Sequence, residues 1–166
     1  MTIRLWVLNG PNLNLLGERE PEIYGTTTLA EIEAACRAVA TLAGAALDFR
    51  QTNHEGVLVD WIQEARKGAD ALVINPAGLS FRSIPVFDAL KLLAIPIVEV
   101  HVSNIHARDE LHRHSIVSRA ATAVICGAGA FGYVLGLLAA VRLLGRTIPG
   151  LPEPFRSGLG RTPRPR

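Results

Sequence analysis

Five short β-rich runs punctuate the chain: Ile3 to Leu8, Ala46 to Gln51, Ala71 to Ile74, Pro96 to Val102 and Thr122 to Cys126. Each is near-continuously apolar or bounded by turn residues, the pattern of strands covered on both faces. Between them the apolar positions change period. Leu29, Ile32, Cys36, Val39 and Leu42 recur every three or four residues, as do Leu58, Trp61, Ile62 and Ala65, which predicts helices with one buried stripe each. Thr28 and Glu31 stand in capping-box relation at the start of the first. A third helix is expected from Ser83 as N-cap with Pro85 in its first turn, and a fourth from about Phe131 to Leu144. Strand and helix therefore alternate, which predicts an α/β domain with a five-stranded parallel sheet, helices on both faces and a flavodoxin-like strand order.

In such sheets ligands bind outside the carboxyl ends of the strands, where the strand order reverses. Three segments should meet there: the long loop Asn9 to Thr27, the stretch Asn75 to Ser83, and Glu99 to Ser115. The first has no periodicity of its own and reads as a lid over an active site.

A length of 166 residues fits one folded core. The domain is expected over residues 1–147, with 148–166 a Pro- and Arg-rich disordered appendage. Part of the basic excess, at Arg156, Arg161, Arg164 and Arg166, lies in that tail, so a net charge of +2 does not point to nucleic acid. Cys36 and Cys126 are the two cysteines, and Cys126 sits in an apolar run, which suits free thiols in a reducing cytoplasm. Asn9-Gly10-Pro11 interrupts the first apolar run before a signal peptide could form. No run reaches the roughly 18 apolar residues of a membrane span.

Gly127, Gly129 and Gly132 match G-x-G-x-x-G between a strand and a helix. No acidic residue follows about 20 positions on and no further strand completes the unit, so close helix–sheet packing is the better reading than a dinucleotide site. His101, His106, His112 and His114 cluster near Glu99, but without HExxH spacing or a cysteine set, which argues against a metal. Glu99 and His101 share one strand face, an arrangement that orients an imidazole for proton transfer. In the long loop, Arg19 and Tyr24 pair a cation with a phenol, which taken alone is better read as a solvated Arg and a surface Tyr.

The loop reads Asn9-Gly10-Pro11-Asn12-Leu13-Asn14-Leu15-Leu16-Gly17, then Arg19-Glu20-Pro21, then Ile23-Tyr24-Gly25. With Gln51 to Asp60, Asn75-Pro76-Ala77-Gly78, Glu99 to Arg108 and Gly129 to Tyr133, this wording closely resembles the type II 3-dehydroquinate dehydratases, over about residues 4 to 145. The resemblance implies a flavodoxin-like enzyme of the shikimate pathway, a dodecamer of four trimers, without metal or organic cofactor, that dehydrates 3-dehydroquinate by anti elimination through an enolate. It further implies that Tyr24, assisted by Arg19, removes the proton alpha to the ketone, that His101, oriented by Glu99, protonates the leaving hydroxyl, and that Asn12 holds a water at the enolate oxygen. Asn75 and the backbone around Val102 and Ser103 would take the substrate carboxylate, and Asp88 would reach a neighbouring subunit's site.

The chain departs from the family pattern where Phe81 and Arg82 stand in place of a His and a Thr, Phe87 in place of an Arg, and His112 in place of a substrate-contacting Arg. A phenyl ring cannot hydrogen-bond a ring hydroxyl. Either Arg82 or His112 restores the contact, or the substrate is an amino- or deoxy-analogue altered at those carbons. A non-catalytic scaffold or binding protein is a further alternative. It has no need of a base and an acid in one cleft.

Overall fold

The computed structural model describes residues 2–153. Five parallel strands form one sheet: β1 (Ile3–Asn9), β2 (Ala45–Gln51), β3 (Ala71–Asn75), β4 (Ile97–His101) and β5 (Ala123–Cys126), in the order β2-β1-β3-β4-β5. This is the flavodoxin-like arrangement, and its order reverses between β1 and β3.

Alternate side chains of each strand enter two separate cores, as the two-residue period requires. Leu5, Val7, Ala71, Val73, Val98 and Val100 pack beneath α2 (Leu29–Leu42) and α5 (Phe131–Leu143). Trp6, Leu8, Leu72, Ile74 and Ile97 pack on the other face, beneath α3 (Glu55–Gly68) and α4 (Ile84–Lys91). Glu99 and His101 follow Ile97 at two-residue spacing and so point to the second face.

The expected caps are in place. Thr28 and Glu31 form a reciprocal capping box at α2, and Ser83 Oγ accepts from Val86 N at 3.0 Å at the start of α4. The glycine run after β5 serves packing. A Cβ on Gly132 would lie 3.4 Å from Val100 Cγ1, and one on Gly136, a turn further along α5, would lie 2.9 Å from Val100 Cγ2 and 3.2 Å from Val73 Cγ1. The missing side chains let α5 lie close against the sheet.

Two expectations change. The loop after β1 is not featureless: it contains a 3-10 turn at Leu13–Leu15 and a one-turn helix α1 (Pro21–Tyr24). Leu13 and Leu16 are buried in the first core and pin the loop to the domain. At the other end, Ile148, the first residue of the expected appendage, is buried in the same core, so the packed domain runs past residue 147. Most of the expected appendage, 154–166, lies outside the described residues. Among those described, no helix is long and apolar enough to cross a membrane.

Candidate active site

The carboxyl ends of β1, β3 and β4 open into one cavity of about 350 Å³, a volume suited to a small organic ligand. The β1 loop contributes Asn12, Arg19 and Tyr24 to its wall, β3 and the following turn contribute Asn75 and Phe81, and β4 with its outgoing loop contributes His101, Val102, Ser103, Arg108 and His112. All three predicted segments meet there. Three wall-building residues without glycine's freedom hold left-handed backbone, Asn12 at φ 66°, Glu20 at φ 41° and Ala77 at φ 51°, an energetic cost concentrated at functional sites.

His101 and Glu99 are both buried, and His101 Nε2 lies 2.7 Å from Glu99 Oε1. Ser115 Oγ donates to the same carboxylate oxygen and Ser118 Oγ to Oε2, each at 2.5 Å. Desolvation drives the Glu99 pKa up, but the hydrogen bonds from His101, Ser115 and Ser118 outweigh it, and the carboxyl sits below its ordinary value. An ionised carboxylate only accepts, so Nε2 carries a hydrogen. Among the described residues His101 Nδ1 has no partner and, since no buried side-chain nitrogen or oxygen among them lacks one, it opens toward the cavity that His101 lines. That nitrogen is the one free to exchange a proton with a ligand.

The Tyr24 hydroxyl accepts a 2.8 Å hydrogen bond from Arg108 Nη1. Arg19 and Arg108 both approach the Tyr24 ring, their guanidinium carbons 5.9 Å and 5.7 Å from its centroid. Arg19 Nε, however, is paired with Glu20 Oε2 at 2.9 Å. The phenol's hydrogen-bond partner is thus Arg108 and not the expected Arg19. In the sequence Arg108 is marked only by its place at the end of the Glu99-to-Arg108 motif. Asn12 is held through its backbone, its N–H donating to Asn53 Oδ1 at 2.9 Å, and its side chain makes no hydrogen bond among the described residues.

On the β3 side, Asn75 is joined to Tyr133 and Asn9 in a buried chain of hydrogen bonds. Tyr133, too, was outside the predicted site. Phe81 lies in the wall with its ring stacked near His101, 6.4 Å between centroids at 22°, and meets His112 edge-on at 5.5 Å and 88°. His112 Nδ1 is fixed by Asp109 at 2.8 Å. Arg82 is exposed and absent from the cavity wall, because it stands between the buried Ser80 and Ser83 and turns outward. Of the two residues expected to compensate for Phe81, only His112 is in position. Asp88 lies on the exposed side of α4, 3.6 Å from Lys91, away from this chain's own cavity. His106 and His114 are exposed and do not line it.

A phenol bonded to a guanidinium and an imidazole backed by a buried carboxylate, around one small cavity, are the groups an acid–base elimination needs. The family model described as dehydroquinase class II matches residues 3–141. The 3-dehydroquinate dehydratase of Caulobacter sp. (strain K31) is 56% identical over 139 residues, 84% of this chain and 95% of that protein. That of Sinorhizobium medicae (strain WSM419) is 53% identical over 137 residues, 82% and 93% of the two chains. Among solved structures, the type II dehydroquinase of Propionibacterium acnes superposes with a TM-score of 0.80 at 44% identity, covering 84% of this chain and 96% of its own.

Proposed function

The chain belongs to the class II dehydroquinase family, and on that premise we propose that it converts 3-dehydroquinate to 3-dehydroshikimate and water by anti elimination through an enolate. The observation that carries this reading is the pairing, around one cavity, of Tyr24 with Arg108 and of His101 with Glu99. Tyr24, as phenolate beside two guanidinium groups, takes the proton alpha to the ketone. The electron pair moves into the enolate, whose oxygen is stabilised through a water held by Asn12. The enolate then collapses, the carbon–oxygen bond breaks, and His101 gives the hydroxyl its proton from Nδ1, so that water leaves. Glu99 stabilises the imidazolium before transfer and keeps Nε2 protonated after it. The atoms balance without oxidant or reductant, and the reading uses no cofactor.

Asn75, with the backbone at Val102 and Ser103, is assigned to the substrate carboxylate. His112 is assigned to a ring hydroxyl and Phe81 to the apolar part of the ring wall. Arg19 supplies a second positive charge at Tyr24. Asp88 acts only in a trimer-based oligomer, where the exposed face of α4, with Ile84 and Leu92 uncovered, meets a neighbour. Cytoplasmic residence is part of the same reading, supported by two free cysteines.

Purified protein mixed with 3-dehydroquinate should produce the absorbance of a conjugated enone, and Tyr24→Phe should abolish it. A folded protein that leaves 3-dehydroquinate unchanged yet dehydrates an amino- or deoxy-analogue would transfer the assignment to that analogue, whose altered carbons would face Phe81. Inertness toward all of them would overturn the dehydratase reading.

A further inference from the structure

Behind the cavity wall, four hydrogen bonds run in series between two backbone groups. Asn9 Nδ2 donates to the carbonyl of Arg50 at 3.0 Å. Tyr133 Oη donates to Asn9 Oδ1 at 2.7 Å. Asn75 Nδ2 donates to Tyr133 Oη at 2.9 Å, and the backbone N–H of Ala77 donates to Asn75 Oδ1 at 3.1 Å. Asn9, Tyr133 and Asn75 are all buried, with Tyr133 at 0% exposure. Asn75 alone of the three lines the cavity.

An amide can be turned over and a hydroxyl can rotate, but a backbone carbonyl only accepts and a backbone N–H only donates. The Arg50 carbonyl therefore compels Asn9 to present its NH2, which leaves Asn9 Oδ1 facing the phenol. The phenol must spend its one hydrogen there, so its oxygen is an acceptor toward Asn75. From the other end, the Ala77 N–H compels Asn75 to turn Oδ1 toward itself. Both ends give the same polarity. The second hydrogen of Asn75 Nδ2 is left for the cavity, and a bound ligand must meet it with an acceptor oxygen.

We infer that Tyr133 is a positioning residue that holds Asn75 as a hydrogen-bond donor to an oxygen of the bound keto acid, with Asn9 setting the polarity of the Tyr133 hydroxyl. Burial keeps this phenol protonated, since desolvation pushes its pKa far above the ordinary range, so it is not a second base. The inference rests on the dehydratase reading for its substrate, and on the hydrogen-bond chain alone for its geometry.

The test is a double-mutant cycle with 3-dehydroquinate. Tyr133→Phe should raise KM about tenfold and leave kcat within about threefold, since a contact made equally to substrate and transition state appears in KM. The pH profile of kcat should not move. In an Asn75→Ala background the same change should add less than about twofold, because the phenol acts only through the amide. An unchanged KM in Tyr133→Phe, or effects that multiply, overturns the inference. A crystal structure of Tyr133→Phe decides the geometry whether or not 3-dehydroquinate is the substrate. Asn75 should leave its position, and an Asn75 that keeps its place and its bond from the Ala77 N–H overturns the proposal while leaving the dehydratase reading intact. Should Tyr133→Phe not fold, Asn9→Ala removes the acceptor that anchors the Tyr133 hydroxyl and lets the phenol draw away from Asn75. KM should then rise, and an unchanged KM counts against the chain.

Discussion

Arg108 Nη1 donates to the Tyr24 hydroxyl across a sequence separation of 84 residues, joining the β1 loop to the segment leaving β4. The bond sets a permanently charged donor directly on the phenolic oxygen that the proposed reaction uses as its base. Arg19 faces the ring but spends its Nε on Glu20. Arg108→Met should therefore lower kcat about 100-fold or more, and Arg19→Met should cost less. Steady-state rates on 3-dehydroquinate check the ranking, and the reverse order would return the role to Arg19.

Glu99 offers a prediction whose sign follows from its lowered pKa. A carboxyl with a folded pKa below its unfolded value stabilises the protein above that unfolded value, about 4.3, and loses the contribution as pH falls through the folded pKa. Glu99→Gln should be less stable than the parent by about 1–3 kcal/mol at pH 7, with the gap narrowing below pH ~4. Urea titrations at several pH values measure it. The variant should also lose most of its kcat, since His101 would no longer have an anion to hold it.

Phe81 bears on substrate choice. Its ring occupies the wall between His101 and His112, where it offers a ligand no hydrogen bond. If 3-dehydroquinate is the natural substrate and is under-served there, Phe81→His should raise kcat/KM about tenfold by pairing a ring hydroxyl. A fall in kcat/KM, with better turnover of a deoxy-analogue by the parent, would mean that the phenyl ring is matched to its ligand.

The two thiols should react at different rates. Cys36 is fully buried, and desolvation, reinforced by Glu33, pushes its pKa up to about 12. At pH 8 it stays protonated and unreactive, because the thiolate is the nucleophile. Cys126 is only partly buried. A chromogenic disulfide reagent should label one cysteine per folded chain, Cys126, and reach Cys36 only on unfolding. Rapid labelling of both would contradict the packing of α2.

Most of the fold was legible because its signals are local. Apolar runs located the five strands, and Thr28 and Ser83 announced their helices through side-chain chemistry confined to four residues. Leu13 and Leu16 escaped notice because two anchors three residues apart are too few to establish a period. The site was legible as wording, through the motifs that hold Tyr24, Asn75 and His101, and less so as geometry. Arg82 was expected in the cavity from its neighbours in sequence, but Ser80 and Ser83 are the buried positions there and Arg82 turns out between them. The Arg108 and Tyr133 contacts join segments 84 and 58 residues from their partners, a separation at which periodicity carries no information.

Gly10 binds the two central loops at their root. Its N–H donates to the Asn75 carbonyl at 2.8 Å, and a Cβ there would stand 2.4 Å from the Pro76 carbonyl oxygen. Backbone, not a yielding side chain, fills the space. A saturation library scored for turnover would thus return one letter at position 10, whereas exposed Leu42 would tolerate many. The loop carrying Tyr24 and the turn beside Asn75 are aligned at position 10 by backbone against backbone.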